Sequence, residues 1–285
     1  MKSEVLLFNG RKINSTFLNF DILRRGFLYG DGIFETLISS NFKIFRYNEH
    51  WERLKKGALI SNLEIPDKEE IKKLIEKEIR KLELGKYYIR INLWRKKPEK
   101  FNPEKEKKSY YLIIIRKLKP YPERFYKDGI ICIISNKVKR NENSVLSKIK
   151  SFNYLENIIL KIECRENNSD DAIVLNTKKY ISCGSVSNIF FVKDDVIYTP
   201  SIKSGCLDGI TRKVVFEVCK REKIKIKEGS FKLNFLKNCD EIFLTNTLMG
   251  IMPVKKIKGY FENKKFYFTK ILIKKYKEIF KEETE

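Results

Sequence analysis

Two periodicities alternate along the whole chain. Short apolar runs rich in β-branched and aromatic residues read as strands. Between them lie segments whose apolar residues recur every three to four positions, as on one face of a helix. Residues 5–8, followed by Asn9-Gly10, predict a strand and a hairpin turn. Residues 34–38 and 43–45 predict a second hairpin around Ser40-Asn41. A helix is expected from Glu49, with Trp51, Leu54 and Ala58 on one face. Pro66 is expected to open the next helix, and Gly85 to end it after Ile71, Leu74, Ile75, Ile79 and Leu82. Residues 87–94 and 110–115 read as strands joined by a polar stretch over 96–108. Further on, strands are expected at 130–134, 172–175, 180–183, 189–192, 196–198 and 241–244. Helices are expected at 151–165, at 211–221 and from Thr269. A chain that mixes strands and helices in both halves is an α/β or α+β protein. Residues 118–128, with Pro120 and Pro122 and no clear period, are the expected linker between a smaller domain over 1–117 and a larger one over 129–285.

With 285 residues, 42 % apolar and 34 % charged, the chain has the composition of a folded protein that buries a core. No run of eighteen apolar residues occurs, which argues against a membrane span. The start, Met1-Lys2-Ser3-Glu4-Val5, lacks the apolar stretch of a signal peptide, so a cytoplasmic protein is expected. The six cysteines are scattered, none lies in a CxxC pair, and His50 is the single histidine. That pattern suits a reducing compartment and offers no metal site. The net charge is +23, but acids interleave with bases, as in Lys68-Glu69-Glu70-Ile71-Lys72-Lys73. Nucleic-acid binding is therefore not expected, whereas anionic metabolites and phosphorylated cofactors should be attracted.

Four segments carry candidate chemistry. The first is Arg25-Gly26-Phe27-Leu28-Tyr29-Gly30-Asp31-Gly32-Ile33-Phe34-Glu35-Thr36, whose glycines permit close backbone approach to a ligand. By itself it is equally an ordinary loop before a strand. The second, from Leu146 to Leu155, holds Lys148 and Lys150. A lysine in a partly apolar site loses its proton readily and becomes a nucleophile. Spacing does not choose between the two lysines, and a solvated surface lysine is the plainer account of either. The third is Gly184-Ser185-Val186-Ser187-Asn188-Ile189-Phe190. The fourth is Cys206-Leu207-Asp208-Gly209-Ile210-Thr211-Arg212, with Thr245-Asn246-Thr247 further on. Gly209-Ile210-Thr211 opens a helix, and exposed N–H groups at a helix start suit a phosphate. Thr211 also reads as an ordinary N-cap.

Taken in order, these pieces resemble the class IV aminotransferases, the pyridoxal-phosphate enzymes of fold type IV. The likeness runs from about Phe8 to Val254. It includes His50-Trp51-Glu52-Arg53-Leu54, Lys150-Ser151-Phe152-Asn153-Tyr154-Leu155, Asp171-Ala172-Ile173-Val174-Leu175, Thr199-Pro200 and Glu241-Ile242-Phe243-Leu244-Thr245-Asn246-Thr247. The resemblance implies a two-domain fold like that of D-amino-acid aminotransferases, with pyridoxal 5'-phosphate between the domains and a homodimeric assembly. It implies that Lys150 is the Schiff-base lysine and proton shuttle. Arg53 matches the arginine that holds the cofactor phosphate, Gly209, Ile210 and Thr211 the phosphate cradle, and Thr247 a further hydroxyl donor. His50 would be structural, and Tyr154 would lie near the cofactor ring. Tyr29, Arg90 and Arg95 fall near substrate-pocket positions, where an arginine suits a carboxylate.

One position departs from the family pattern. The glutamate that normally pairs with the pyridine nitrogen is replaced by Cys183. A thiol, neutral at pH 7, does not favour a protonated ring as a carboxylate does. The expected activity is transfer of an amino group between an amino acid and a 2-oxo acid. Two alternatives are a 4-amino-4-deoxychorismate lyase, which releases pyruvate to leave p-aminobenzoate, and a catalytically weakened paralogue that still binds the cofactor. The substrate and its handedness stay open.

Overall fold

Six strands from the first part of the chain form one antiparallel sheet. They are β1 (Glu4–Phe8), β2 (Arg11–Ile13), β3 (Gly32–Ser40), β4 (Lys43–Ile44), β5 (Lys86–Arg95) and β6 (Ser109–Lys117), in the order β2-β1-β6-β5-β3-β4. The molecule is described by a computed structural model over residues 4–13, 24–96, 101–103, 105–263 and 265–285. The chain start, and parts of the polar stretch read over 96–108, lie outside the described residues.

Asn9-Gly10 turns β1 into β2 with both residues at positive φ, 43° and 81°. That is the backbone a two-residue hairpin needs. The β3–β4 turn falls at Asn41-Phe42, one residue later than the sequence pattern indicates. Helices α1 (Arg24–Tyr29), α2 (Tyr47–Ile60) and α3 (Lys68–Ile79) accompany this sheet. The apolar side of α2 (Trp51, Leu54, Ala58) and of α3 (Ile71, Ile75, Ile79) packs with Ile33, Leu37, Ile89, Ile91, Leu93, Ile113 and Ile115 in one buried core. Pro66 does not open α3. Asp67 is its N-cap, its carboxylate accepting from Glu70 N at 2.8 Å, and the helix stops at Ile79 rather than reaching Gly85. The Asp67 carboxylate accepts from one of the first-turn N–H groups that have no partner within the helix.

The rest of the chain builds a second sheet from β7 (Ile130–Ile134), β8 (Asp171–Leu175), β9 (Ile181–Gly184), β10 (Asn188–Lys193), β11 (Val196–Pro200), β12 (Ile226–Gly229), β13 (Glu241–Asn246), β14 (Gly250–Ile257) and β15 (Phe261–Glu262). Its order is β12-β11-β10-β13-β14-β7-β8-β9, with β15 on β14. Helices α4 (Glu123–Asp128), α5 (Leu155–Glu166), α6 (Ile210–Arg221) and α7 (Tyr267–Thr284) complete it. Helix α4 lies inside the stretch in which no period is legible.

The backbone divides into two compact units. One comprises Met1–Lys119, Ile149–Asn153 and Phe280–Glu285, the other Pro120–Lys148 and Tyr154–Ile279. The assignment of 149–153 to the first unit has a direct cause. Phe34 N donates to Lys150 O at 2.8 Å, Phe152 N donates to Gly32 O at 2.9 Å, and Ser151 bridges Ile33. Ser151, expected in a helix, is instead extended along the edge of β3, and α5 begins four residues later at Leu155. At the C-terminus, Phe280 packs on Phe45 (4.8 Å between ring centres) and Glu283 pairs with Arg46 at 2.6 Å.

Candidate active site

The candidate residues fall into two groups, one in each unit. In the first, the edge pairing just described fixes Lys150 beside β3. Its Nζ lies 4.5 Å from the centre of the Phe34 ring. The guanidinium of Arg90, from β5, lies 3.6 Å from the same ring centre. Asn92 steadies it, accepting from Arg90 Nε at 2.7 Å and donating to Leu112 O at 3.1 Å.

The next residue of β3, Glu35, points to the helix side of the sheet and is 1 % exposed. Helix α2 comes close to β3 at Gly57, where a Cβ would lie 3.3 Å from Ile33. That approach brings two residues one turn apart onto the carboxylate. Arg53 donates from Nε at 2.7 Å and from Nη2 at 2.8 Å. His50 Nδ1 lies 2.8 Å from Glu35 Oε2. Burial pushes the Glu35 carboxyl up, but Arg53 and then His50 outweigh it and hold it well below the usual carboxylate range. Burial keeps His50 below its ordinary value despite Glu35, so the ring is neutral near pH 7 and donates from Nδ1. Its Nε2 is buried with no hydrogen-bond partner among the described residues.

Lys150 is drawn down to about 8. Burial is the largest cause, Arg53 adds to it, Glu35 opposes it, and Arg90 lowers it further. One carboxylate thus stands against Lys150, Arg53 and Arg90. This is an amine close to losing its proton near neutral pH, in surroundings that favour an anion.

Two pocket candidates sit elsewhere in this unit. Arg95 is 4 % exposed. It donates to Asp31 at 2.9 Å and to the carbonyls of Ser61 at 2.7 Å, Asn62 at 3.1 Å and Glu106 at 2.5 Å. Those donors serve the fold, and Arg25 joins it on Asp31 at 2.8 Å. Tyr29, at the end of α1, is exposed and meets Phe101 edge-on at 5.7 Å.

The second group gathers at the start of α6. Gly209, not Thr211, is the N-cap, with φ −71° and ψ 140° and no side-chain cap bond. A β-carbon on Gly209 would overlap Oδ1 of Asn188, whose Nδ2 donates to Leu207 O at 2.8 Å. The first turn of α6 therefore presents its N–H groups beside a residue that must lack a side chain. Ile210 and Thr211 follow, both buried. Asn246 Oδ1 accepts from Leu248 N and Met249 N, both at 2.9 Å, and folds the turn that carries half-buried Thr247. Its Nδ2 reaches Val186 O at 3.4 Å.

Cys183, on β9, is buried against the guanidinium of Arg140. Arg140 also donates to Glu156 and Asn157, each at 2.6 Å. Tyr154 is the N-cap of α5. Sequence reasoning gives no role to Glu35 or Arg140. For Glu35 the available signal is a carboxylate inside an otherwise apolar strand, which needs a buried partner.

Residues 32–257 match the amino-transferase class IV family. The chain belongs to the class IV aminotransferases. It is 31 % identical to the D-alanine aminotransferase of Listeria monocytogenes, over 89 % of this chain and 88 % of that one. It is 30 % identical to the aminodeoxychorismate lyase of Bacillus subtilis, over 89 % and 86 %. Its structure superposes on the branched-chain amino acid aminotransferase of Escherichia coli with a TM-score of 0.89 and 26 % identity, covering 100 % of this chain and 96 % of that one. The fold is accordingly the mixed helix-and-sheet fold type IV of these enzymes. Among the described residues no helix is long and apolar enough to cross a membrane.

Proposed function

We propose that this member of the family is a pyridoxal-phosphate-dependent aminotransferase that moves an amino group between an amino acid and a 2-oxo acid. The observation that carries the reading is Lys150: an amine drawn down to about 8, beside Phe34 and next to Arg53 and Arg90. The residues present fit the cofactor. The uncapped start of α6 beside Gly209, and the cationic surroundings of Arg53, suit a phosphate. When bound, pyridoxal phosphate supplies an aldehyde that condenses with amines and a ring that draws electrons from the substrate carbon.

The protein's residues do the rest. In the first unit, Arg53 would be the cation for a phosphate; in the second, the N–H groups of Gly209, Ile210 and Thr211 would form a phosphate cradle, with the Thr247 hydroxyl as a further donor. Lys150 Nζ would anchor the cofactor in the resting protein and, once freed, would carry the proton at the substrate's α-carbon. Arg90 binds the substrate carboxylate from a guanidinium already fixed by Asn92 and Phe34. The partner is a second copy of this chain, a reading supported by the exposed apolar stripe Leu155, Ile158 and Ile162 on α5. Six free thiols support the reducing cytoplasm as its location.

The test is the absorbance of cofactor-loaded protein as single D- and L-amino acids are added without a keto acid. Conversion to the pyridoxamine spectrum by one of them is expected and names the donor. If none converts it, the transaminase reading is wrong.

A pyruvate-releasing lyase is the second reading, and Cys183 against Arg140 favours it. A thiol beside a guanidinium supports a protonated ring nitrogen less than a carboxylate does. Cys183→Glu should raise the amino-acid half-reaction about tenfold. An unchanged rate would remove this position from the argument, and aminodeoxychorismate would then be tried directly on the native protein.

A further inference from the structure

The mechanism above leaves the most buried charge of the first unit without a task. Glu35 lies in β3 between Phe34, which faces Lys150 and Arg90, and the helix that carries Arg53. Its two oxygens accept from Arg53 Nε, Arg53 Nη2 and His50 Nδ1, all within 2.7–2.8 Å. Two parallel bonds to one guanidinium fix the plane of the arginine as well as its distance. His50 is neutral and adds no charge, so the carboxylate is a full anion facing Arg53, with Arg90 and Lys150 beyond it.

We propose that Glu35 is the positioning residue of this site: its carboxylate fixes the plane of Arg53 and offsets the two arginines so that Lys150 keeps a usable proton.

Geometry and charge make separate contributions. The clamp aims Arg53, and a tilted guanidinium would lose its paired contacts with a phosphate. The negative charge acts on Lys150. Arg53 and Arg90 push its ammonium towards the amine, and Glu35 opposes them. Without that opposition a larger fraction of the lysine would be unprotonated near neutral pH, and it would return protons less well. The inference deepens the proposed function and rests on its roles for Lys150 and Arg53.

The experiment uses cofactor-free protein. Acetylation of Lys150 by limiting acetic anhydride is followed by peptide mass spectrometry from about pH 5.5 to 10.5, and inorganic phosphate binding is followed by calorimetry. Wild-type Lys150 should titrate with a midpoint near 8. Glu35→Gln keeps the shape and loses the charge. Its midpoint should fall by about one pH unit, roughly a tenfold higher reactive fraction at about pH 6.5. A midpoint that stays or rises overturns the proposal. Glu35→Asp keeps the charge but shortens the reach by one methylene. Lys150 should titrate as in the wild type, while phosphate binds about tenfold more weakly. Unchanged phosphate affinity overturns the clamp. This variant decides the question even if Glu35→Gln fails to fold. His50→Gln removes only the third bond and should lower the melting temperature without moving the Lys150 midpoint, which separates a structural role from the one proposed. If wild-type protein binds no phosphate, the role of Arg53 in the proposed function fails, while the Lys150 titration still decides that of Glu35.

Discussion

Lys150 lies under a burden that shows as a pH effect on stability. Its folded value of about 8 lies below the ordinary 10.5. Folding therefore disfavours the ammonium. The penalty is complete below pH 8 and shrinks as the pH rises towards 10.5, where the unfolded chain also loses the proton. Lys150→Met should stabilise the protein by about 1–3 kcal/mol at pH 7 and by nothing measurable at about pH 10.5. Urea unfolding at the two pH values measures this, and an equal gain at both would show that packing rather than charge is responsible. Arg95 and Arg90, both in the first unit, offer a paired contrast. Arg95 spends its donors on Asp31 and three carbonyls. Arg95→Gln should therefore cost about 2–4 kcal/mol of stability. Arg90 is held on an aromatic face by a single asparagine contact. Arg90→Gln should leave the melting temperature within about 2 °C and raise the KM for the amino acid at least tenfold. Thermal unfolding and steady-state kinetics on both variants check the split.

Elements place these residues through close backbone approach, and Gly209 shows how little tolerance that leaves. Its φ of −71° is ordinary for any residue, so the constraint on it is space. Gly209→Ala drives a methyl group into Asn188 Oδ1 and shifts the first turn of α6. Cofactor affinity should drop by about tenfold to a hundredfold, with roughly 1–3 kcal/mol of stability lost. Fluorescence titration with pyridoxal phosphate, alongside denaturation, reads both, and unchanged affinity would show that the turn does not hold the phosphate. The same scale explains what the sequence can reveal. Strands β3, β5 and β6 are legible because their apolar runs are long. Strand β14 is not, since Pro253 and Lys255-Lys256 interrupt its pattern while its register with β13 and β7 carries it. Ser151 reads as helical because local propensity has no knowledge of the open edge of β3. The candidate site is legible where its residues sit in short runs, as at 209–211. The clamp of Glu35 on Arg53 and the contact of Arg140 with Cys183 join residues far apart in sequence. Only the packing of α2 on β3, and the fold of the second sheet, bring them together.

The whole molecule carries +23 net charges, far more than the few cations of the candidate site. Their consequence is kinetic. Charges spread over a surface create a long-range field that speeds the approach of an anion, while the bonds that retain it are short-ranged. Salt separates these effects, because the screening length falls from about 10 Å at 0.1 M to about 3 Å at 1 M. For cofactor-free protein mixed with pyridoxal phosphate in stopped flow, the association rate should fall about three- to tenfold between about 20 and 500 mM salt, while dissociation changes less than about twofold. Pyridoxal, which lacks the phosphate, is the control, and its association should hardly respond. If both compounds slow equally, salt is acting on the protein rather than on the encounter. If only the dissociation of pyridoxal phosphate responds, the charge that matters is the local set of Arg53, Lys150 and Arg90. The other bases would then have no part in delivering the ligand.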